Sequence, residues 1–377
     1  MSVFLSGFMS IFNRVVVAGF AIFAMLFGSG NIAFPPILGK NFGTAWSMAN
    51  LGWLLAAVII PMLGYFGSML FDAKTEKYMK PLGKHVTALF MLLVMLLVGP
   101  FGVSARCVNV AFGGISIAMP GCPALLFNVI FCIIATILAW DPGKLVQLMG
   151  TIFTPLKFGG VAIVILVAIF MSNSEIPVTN FATSKAFLDG FEMGYQTMDL
   201  IAAFFMTAPI YLYIKNAIPE KERGGKKSLL KFTGMACAVG GILLALVYTG
   251  LAYIGAKYSS LLSGTSDEAL FAKIADISMG NCATIFVAVV IAVGCLGTNV
   301  AITAMFTDYI HKTILKEKFN RNAILLITGV CTLGMSLLGF AKICSLMAMI
   351  LSKLYPALIV FVVLRTAYYF MPKKDVA

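Results

Sequence analysis

The chain is poor in charge. Only 11% of its 377 residues are Asp, Glu, Lys or Arg, against about 25% in an ordinary soluble domain. With 60% apolar residues and a mean hydropathy of +0.98, it has too little polar surface to keep a globule of this length in water. Histidine is scarcer still. His85 and His311 are the whole supply, and both sit in basic connections between apolar runs. Their placement excludes the clustered acid–base dyads that an intramembrane enzyme needs at one depth. The eight cysteines (Cys107, Cys122, Cys132, Cys237, Cys282, Cys295, Cys331, Cys344) are scattered, and no C-x-x-C pair occurs among them. Neither metal nor redox chemistry is therefore indicated, and no phosphate-binding loop is present. A charged leader with a cleavage site is missing as well, so the first apolar run reads as a retained span. The net charge of +12 is no nucleic-acid footprint, because the basic residues lie in short connections and form no broad face.

What the chain does have is long apolar runs. A bilayer core needs about 20 such residues per helix, and ten candidate spans follow: 14–38, 45–71, 86–115, 123–140, 145–171, 187–214, 230–256, 282–310, 323–340 and 344–370. The positive-inside rule orients them. With the N-terminus in the cytoplasm, the inner segments carry Lys74, Lys77, Lys80 and Lys84, then Lys215 through Lys231, then Lys312, Lys316, Lys318 and Arg321. The outer segments carry only Lys40, Lys185, Lys257, Lys273 and Lys342. Both termini are thus expected on the cytoplasmic side of a multi-pass protein. No linker or low-complexity tract divides residues 1–377, which are expected to form a single domain. Ser266 to Ile274, in an outer connection, reads as a short amphipathic surface helix or as an ordered loop.

Two of the spans are interrupted. Phe27-Gly28-Ser29-Gly30-Asn31-Ile32-Ala33-Phe34-Pro35-Pro36 breaks the first, since Gly weakens a helix by roughly 1 kcal/mol and interior Pro by about 3. Gly190 to Asp199 breaks the sixth. Freed backbone groups survive at membrane depth only inside protein or beside a polar cavity. Spans 1 and 6 each open a five-helix half, about 14–171 and 187–370, and five is odd, so the halves are inverted. Breaks at matching places in inverted halves point to a carrier's binding site; a packing kink is the plainer reading of either one alone. The fold class expected is all-α and polytopic, a 5+5 inverted repeat.

Several motifs resemble one family. Phe27-Gly28-Ser29-Gly30-Asn31 with Phe34-Pro35-Pro36, Gly99-Pro100 with Arg106, and Pro142-Gly143-Lys144-Leu145 occur in its order. Pro155-Leu156-Lys157, Gly194-Tyr195-Gln196-Thr197-Met198-Asp199 and Tyr355-Pro356 follow. The chain is similar to the bacterial branched-chain amino acid carriers, the LIVCS or BrnQ-type family of the APC superfamily. The resemblance implies a LeuT-type fold, no enzymatic activity, and Na+-coupled import of leucine, isoleucine and valine across the bacterial inner membrane. It calls for no organic cofactor. The partners it implies are the amino acid, Na+ and the lipid bilayer. The chain departs from the family in having ten spans where twelve are usual, in Ala105 before Arg106, and in Lys353 within span 10.

For a zwitterionic substrate, the restart of span 1 at Ser29, Gly30 and Asn31 offers free N–H groups to a carboxylate, with Gly28 and Gly30 allowing close approach. The break in span 6 adds carbonyls at Gly194 and Tyr195 and the Thr197 hydroxyl. Phe204, with Phe205, Met206 and Phe101, is the expected wall for a branched side chain. Asp199, the most interior acid, is functional by default and falls beside Asn31 in the register of the LeuT-type fold. Family matching implies a Na+ site from the carbonyls of Ala24, Phe27 and Gly294 and the Thr298 hydroxyl, although a membrane Thr commonly back-bonds to its own turn. Lys157 is the alternative, a proton carrier in place of sodium, or simply a snorkelling side chain. A broader neutral amino acid carrier that accepts methionine is the alternative for substrate. Arg106 is expected to pair with carbonyls or an acid in the bundle rather than to touch substrate, and Lys353 has no assignment.

Overall fold

The computed structural model describes residues 2–141, 154–172, 174–217 and 226–371, and every regular element among them is helical. Span 1 comprises α1 (Ser2–Leu26) and α2 (Ser29–Phe42). Span 2 comprises α3 (Trp46–Leu54) and α4 (Ile60–Leu70), joined by a π-helical turn, Leu55–Ile59. The wide turn has a local cause: Pro61 has no N–H and its ring displaces the carbonyl four residues back. After the short α5 (Thr75–Tyr78), span 3 comprises α6 (Gly83–Val98) and α7 (Val103–Ala118), followed by α8 (Ala124–Leu138). Next come α9 (Thr154–Met171), the pair α10 (Thr183–Gly194) and α11 (Asp199–Ala217), and α12 (Lys226–Lys257). The chain closes with α13 (Leu270–Met279), α14 (Asn281–Tyr309), α15 (Arg321–Ser336) and α16 (Phe340–Phe370).

Among the described residues, length and composition qualify five helical stretches to cross a membrane, and six when the bent pair Thr183–Thr197 and Asp199–Asn216 counts as one. Four shorter apolar helices, Asn13–Leu26, Ala124–Leu138, Phe158–Met171 and Arg321–Ser336, fall on the remaining expected spans. Both anticipated breaks are present. The sixth span bends by 43°.

The break in span 6 is narrower than the sequence suggests. Helix α10 runs unbroken through Gly190 to Gly194, and only Tyr195 to Met198 leave the α-helix. Gly190 and Gly194 serve packing instead. A Cβ on Gly190 would stand 2.8 Å from Ala49 Cα and closer still to its carbonyl oxygen; one on Gly194 would stand 2.6 Å from Ala56 Cβ. Gly52 answers from α3, its own notional Cβ 2.9 Å from Phe191 N. Small residues four apart let membrane helices approach to backbone contact, where van der Waals packing drives association. Helix α2 meets α12 in the same way: a notional Cβ on Gly39 would stand 2.5 Å from Ala256 N, and one on Gly255 2.7 Å from Pro36 Cα.

The segment around Ser266 is no surface helix. Leu270, Phe271, Ala272, Ile274 and Ala275 are buried, and α13 packs among α7, α9 and α14. Residues 142–153, 218–225 and 372–377, with Lys144, Lys221, Arg223, Lys373 and Lys374, lie outside the described residues.

Candidate functional site

The two breaks meet. Helix α1 ends at Leu26, and α2 restarts at Ser29 after Gly28 in an extended conformation. The Gly28 N–H donates to Leu26 O at 2.6 Å and to Asn31 Oδ1 at 3.2 Å, so the Asn31 side chain holds the turn shut from behind. The N–H groups of Ser29, Gly30 and Asn31 begin a helix and have no carbonyl four residues earlier in α2 to receive them. Farther along, Pro35 and Pro36 have no N–H to give the carbonyls of Asn31 and Ile32. Backbone donors and acceptors thus lie within two turns of one another, all on buried residues.

Asn31 is the hub. Its Nδ2 donates to Asp199 Oδ2 at 2.8 Å and also to the Tyr248 hydroxyl. The Tyr248 hydroxyl in turn donates to Asp199 Oδ2 at 3.3 Å. Asp199 opens α11, where its N–H donates to Thr197 Oγ1 at 3.3 Å, and the Thr197 hydroxyl donates to Gly194 O at 3.0 Å. Met198, between them, takes φ +59°, a left-handed conformation that costs a non-Gly residue about 1–3 kcal/mol. An acid at membrane depth costs a further 2.5–3.5 kcal/mol or so. Strain and a buried carboxylate at one point mark the centre of this site.

The aromatic rings around this centre are not the ones expected. Phe34 packs against Trp53 and Phe340, with centroids 6.2 and 5.7 Å away, and Trp53 lies edge-on to Tyr248 at 6.0 Å. Phe27 stacks on Phe23 at 5.1 Å and tilts over Tyr248 at 6.4 Å. Phe204 is buried elsewhere, between Tyr78 and Phe90. Phe101 is 39% exposed, thrown outward because Gly102 brings the backbone of the span-3 turn against Leu97 and Met347. Tyr195 stacks on Tyr355 at 4.7 Å. Gly194 faces Ala56 with its Cα but still gives its carbonyl to Thr197. Ser29 is buried with its Oγ 3.2 Å from Cys107 Sγ.

Of the expected sodium ligands, Gly294 and Thr298 are bonded to each other, the Thr298 hydroxyl donating to Gly294 O at 3.1 Å. Ala24 and Thr298 are both only half-buried, and Phe27 N bonds back to Phe23 O at 2.8 Å. The side chain of Lys157 lies outside the described residues. Its neighbour Phe158 packs on Phe20 and Phe23 of α1 at 6.3 and 5.1 Å. Lys353 is exposed on the outer face of α16. Sequence reasoning missed Tyr248, whose one signal was a phenol in the middle of an apolar span, whereas Arg106 does pair with a carbonyl of the bundle. Arg106 is 1% exposed, and its Nη1 donates to Gln196 O at 2.8 Å, within the span-6 break.

A membrane bundle whose first and sixth spans open toward one another around buried polar groups defines a carrier of the LeuT-type fold, and a transporter, not an enzyme. The fold has solved counterparts. An inward-facing conformation of Mhp1 superposes with TM-score 0.65 at 13% identity, covering 94% of this chain and 76% of that one. A substrate-bound, outward-open Na+-coupled sialic acid symporter gives 0.54 at 11%, covering 93% and 78%. Within that class the chain belongs to the family described as branched-chain amino acid transport protein, whose profile matches residues 12–377. Similar curated relatives include the branched-chain amino acid permease BrnQ of Bacillus subtilis, 28% identical over 91% of this chain and 79% of the relative. BrnQ of Escherichia coli K12 is 26% identical over 93% and 79%, and the branched-chain amino acid transport system 3 carrier protein of Pseudomonas aeruginosa 27% over 93% and 80%.

Proposed function

We propose that this protein imports leucine, isoleucine and valine across the bacterial inner membrane by Na+ symport, with both termini cytoplasmic and residues 1–377 acting as one transport unit. The observation that carries the reading is the hydrogen-bonded group of Asn31, Asp199 and Tyr248 at the meeting of two broken helices. The N-terminus of α2 at Ser29, Gly30 and Asn31 suits the substrate carboxylate, with Gly28 leaving room for it. The carbonyls of Gly194 and Tyr195 and the Thr197 hydroxyl suit its ammonium. Phe34 and Trp53 supply apolar walls that Phe204 does not. Asp199 with Asn31 suits a cation beside the substrate. The main Na+, the one that drives import, would be held by the carbonyls of Ala24, Phe27 and Gly294 and by Thr298, whose hydroxyl must turn from its own helix to serve, and the position at Asp199 is a second cation site.

The energetics suit a scavenging carrier. A potential of about 100 mV supplies roughly 2.3 kcal/mol per charge, and a tenfold Na+ gradient adds about 1.4. Together these hold an amino acid gradient of several hundredfold. The test is uptake of labelled isoleucine into proteoliposomes, with and without an imposed Na+ gradient. Accumulation that needs Na+ and is competed by leucine and valine is the expected result. Accumulation driven by a pH gradient in Na+-free vesicles would replace sodium with a proton and return Lys157 to consideration.

A further inference from the structure

Arg106 is a buried cation with no carboxylate within ion-pair distance among the described residues. It is 1% exposed, and guanidinium stays charged in any protein environment. Among the described residues the ion pairs are Lys40–Asp267, Lys77–Asp72, Lys273–Asp276 and Arg321–Asp308, and none reaches Arg106. Asp199, the buried carboxyl nearby, is close enough to feel the guanidinium but makes its side-chain hydrogen bonds with Asn31 and Tyr248 through Oδ2, not with Arg106. The contacts Arg106 does make are neutral: Gln196 O at 2.8 Å, the Phe34 ring with its centroid 5.5 Å away, and the Cys344 thiol. Its Nε is buried and has no partner, and the same is true of Gln196 Oε1 beside it. Buried charges are normally paired, because removing one from water uncompensated costs several kcal/mol.

Its location identifies the missing partner. The Gln196 carbonyl that accepts from Arg106 would lie 3.8 Å from a Cβ on Gly30, and the Phe34 ring under the guanidinium would lie 3.3 Å from that same Cβ. The guanidinium therefore sits beside the first turn of α2, where the free N–H groups converge. We infer that Arg106 is the principal anchor of the substrate carboxylate, which would take the unpartnered Nε together with a neighbouring Nη while the N-terminus of α2 supplies the remaining donors. This deepens the amino acid carrier reading and rests on it. A planar fork matched to a carboxylate is what arginine provides and lysine does not.

The experiment compares leucine with leucinol, the same side chain and ammonium without the carboxylate, as competitors of isoleucine uptake in proteoliposomes. Wild-type protein should reject leucinol by roughly 30-fold or more, the effect of removing one member of a buried charge pair. Arg106→Gln should lose affinity for leucine by a similar factor and lose most of its discrimination between the two. Arg106→Lys should fall between them. A merely structural arginine would lower both affinities in parallel and leave their ratio intact, which would overturn the assignment. So would leucinol competing as well as leucine at the wild-type protein, a result that needs no folded variant. If the wild-type protein neither takes up isoleucine nor binds leucine, the carrier reading itself fails and this one with it.

Discussion

The Gly190 notch permits a quantitative test. In Gly190→Ala the new methyl carbon would stand 2.8 Å from Ala49 Cα and 2.7 Å from its carbonyl carbon, where unstrained carbon contacts begin at about 3.5 Å. Neither partner is a movable side-chain tip. Both are backbone in the middle of helices, so α10 and α3 must separate by roughly 1 Å. A gap of that size forfeits about a quarter to a half of each contact it opens, and overpacking of this kind costs about 1–3 kcal/mol. The gain in helix preference from Gly to Ala returns up to about 1 kcal/mol, leaving a net loss near 2 kcal/mol. Gly334→Ala is the control, a helical glycine with open space around its Cα, and it should be neutral or slightly stabilising. Gly52→Ala opens the same interface from the other side, so the double variant should cost less than the sum of the singles. Reversible unfolding of the purified protein in mixed micelles reads all four. If Gly190→Ala proves as stable as Gly334→Ala, these helices do not meet backbone to backbone.

Tyr248→Phe removes one donor from Asp199 and one acceptor from Asn31 without changing the apolar packing. A hydrogen bond to a charged group is worth about 1.5–3 kcal/mol, so half-saturation by Na+ should rise at least about tenfold; an unchanged Na+ dependence would separate this cluster from ion coupling. On α13, Lys273 Nζ lies 2.7 Å from Asp276 Oδ2 and Thr284 donates to Oδ1 at 3.1 Å, contacts that hold the Asp276 carboxyl below the usual range despite its partial burial. An acid with a lowered folded-state value contributes stability at neutral pH and loses it as the pH falls through that value. Asp276→Asn should therefore lower the unfolding temperature at pH 7, and the difference from wild type should narrow below about pH 4. A difference independent of pH would rule out the ion pair as its source.

The two breaks were unequally legible. Around Gly28 the signals agree, since Gly, Ser, Gly and Asn crowd one turn and the helix does restart at Ser29. Around Gly190 the same residue type has the opposite use. A glycine that loosens a helix and a glycine that admits a neighbouring backbone are identical in sequence, and only the partner, here Ala49 or Ala56, tells them apart. Tyr248 lies 217 residues from Asn31, a pairing that no local pattern encodes. Phe204 was reasonable by proximity to the break, but helix rotation turns it toward Tyr78 and Phe90. The charge pattern gave the reverse lesson. Arg106 stood out as an ionisable residue in an apolar span, and the carbonyl it was expected to find is that of Gln196.

The glycine seams also have a mechanical meaning. Helices joined backbone to backbone, as α3 is to α10 and α2 to α12, cannot slide along one another without lifting apart, so each pair travels as a single strut. Helix α7 belongs to a different body, fastened along α14 by packing and by the bond from Asn299 Nδ2 to Ser104 O at 3.0 Å. At the break, Arg106 reaching across to Gln196 O and Ser29 Oγ lying 3.2 Å from Cys107 Sγ tie that body to the struts. Cargo would therefore lie in the joint itself, gripped from both sides, and its arrival or departure would change how firmly the two bodies are latched. Cysteine cross-links within α3–α10 should leave turnover intact, while one bridging α7 to α10 should arrest it. Equal tolerance of both would mean that the joint lies elsewhere.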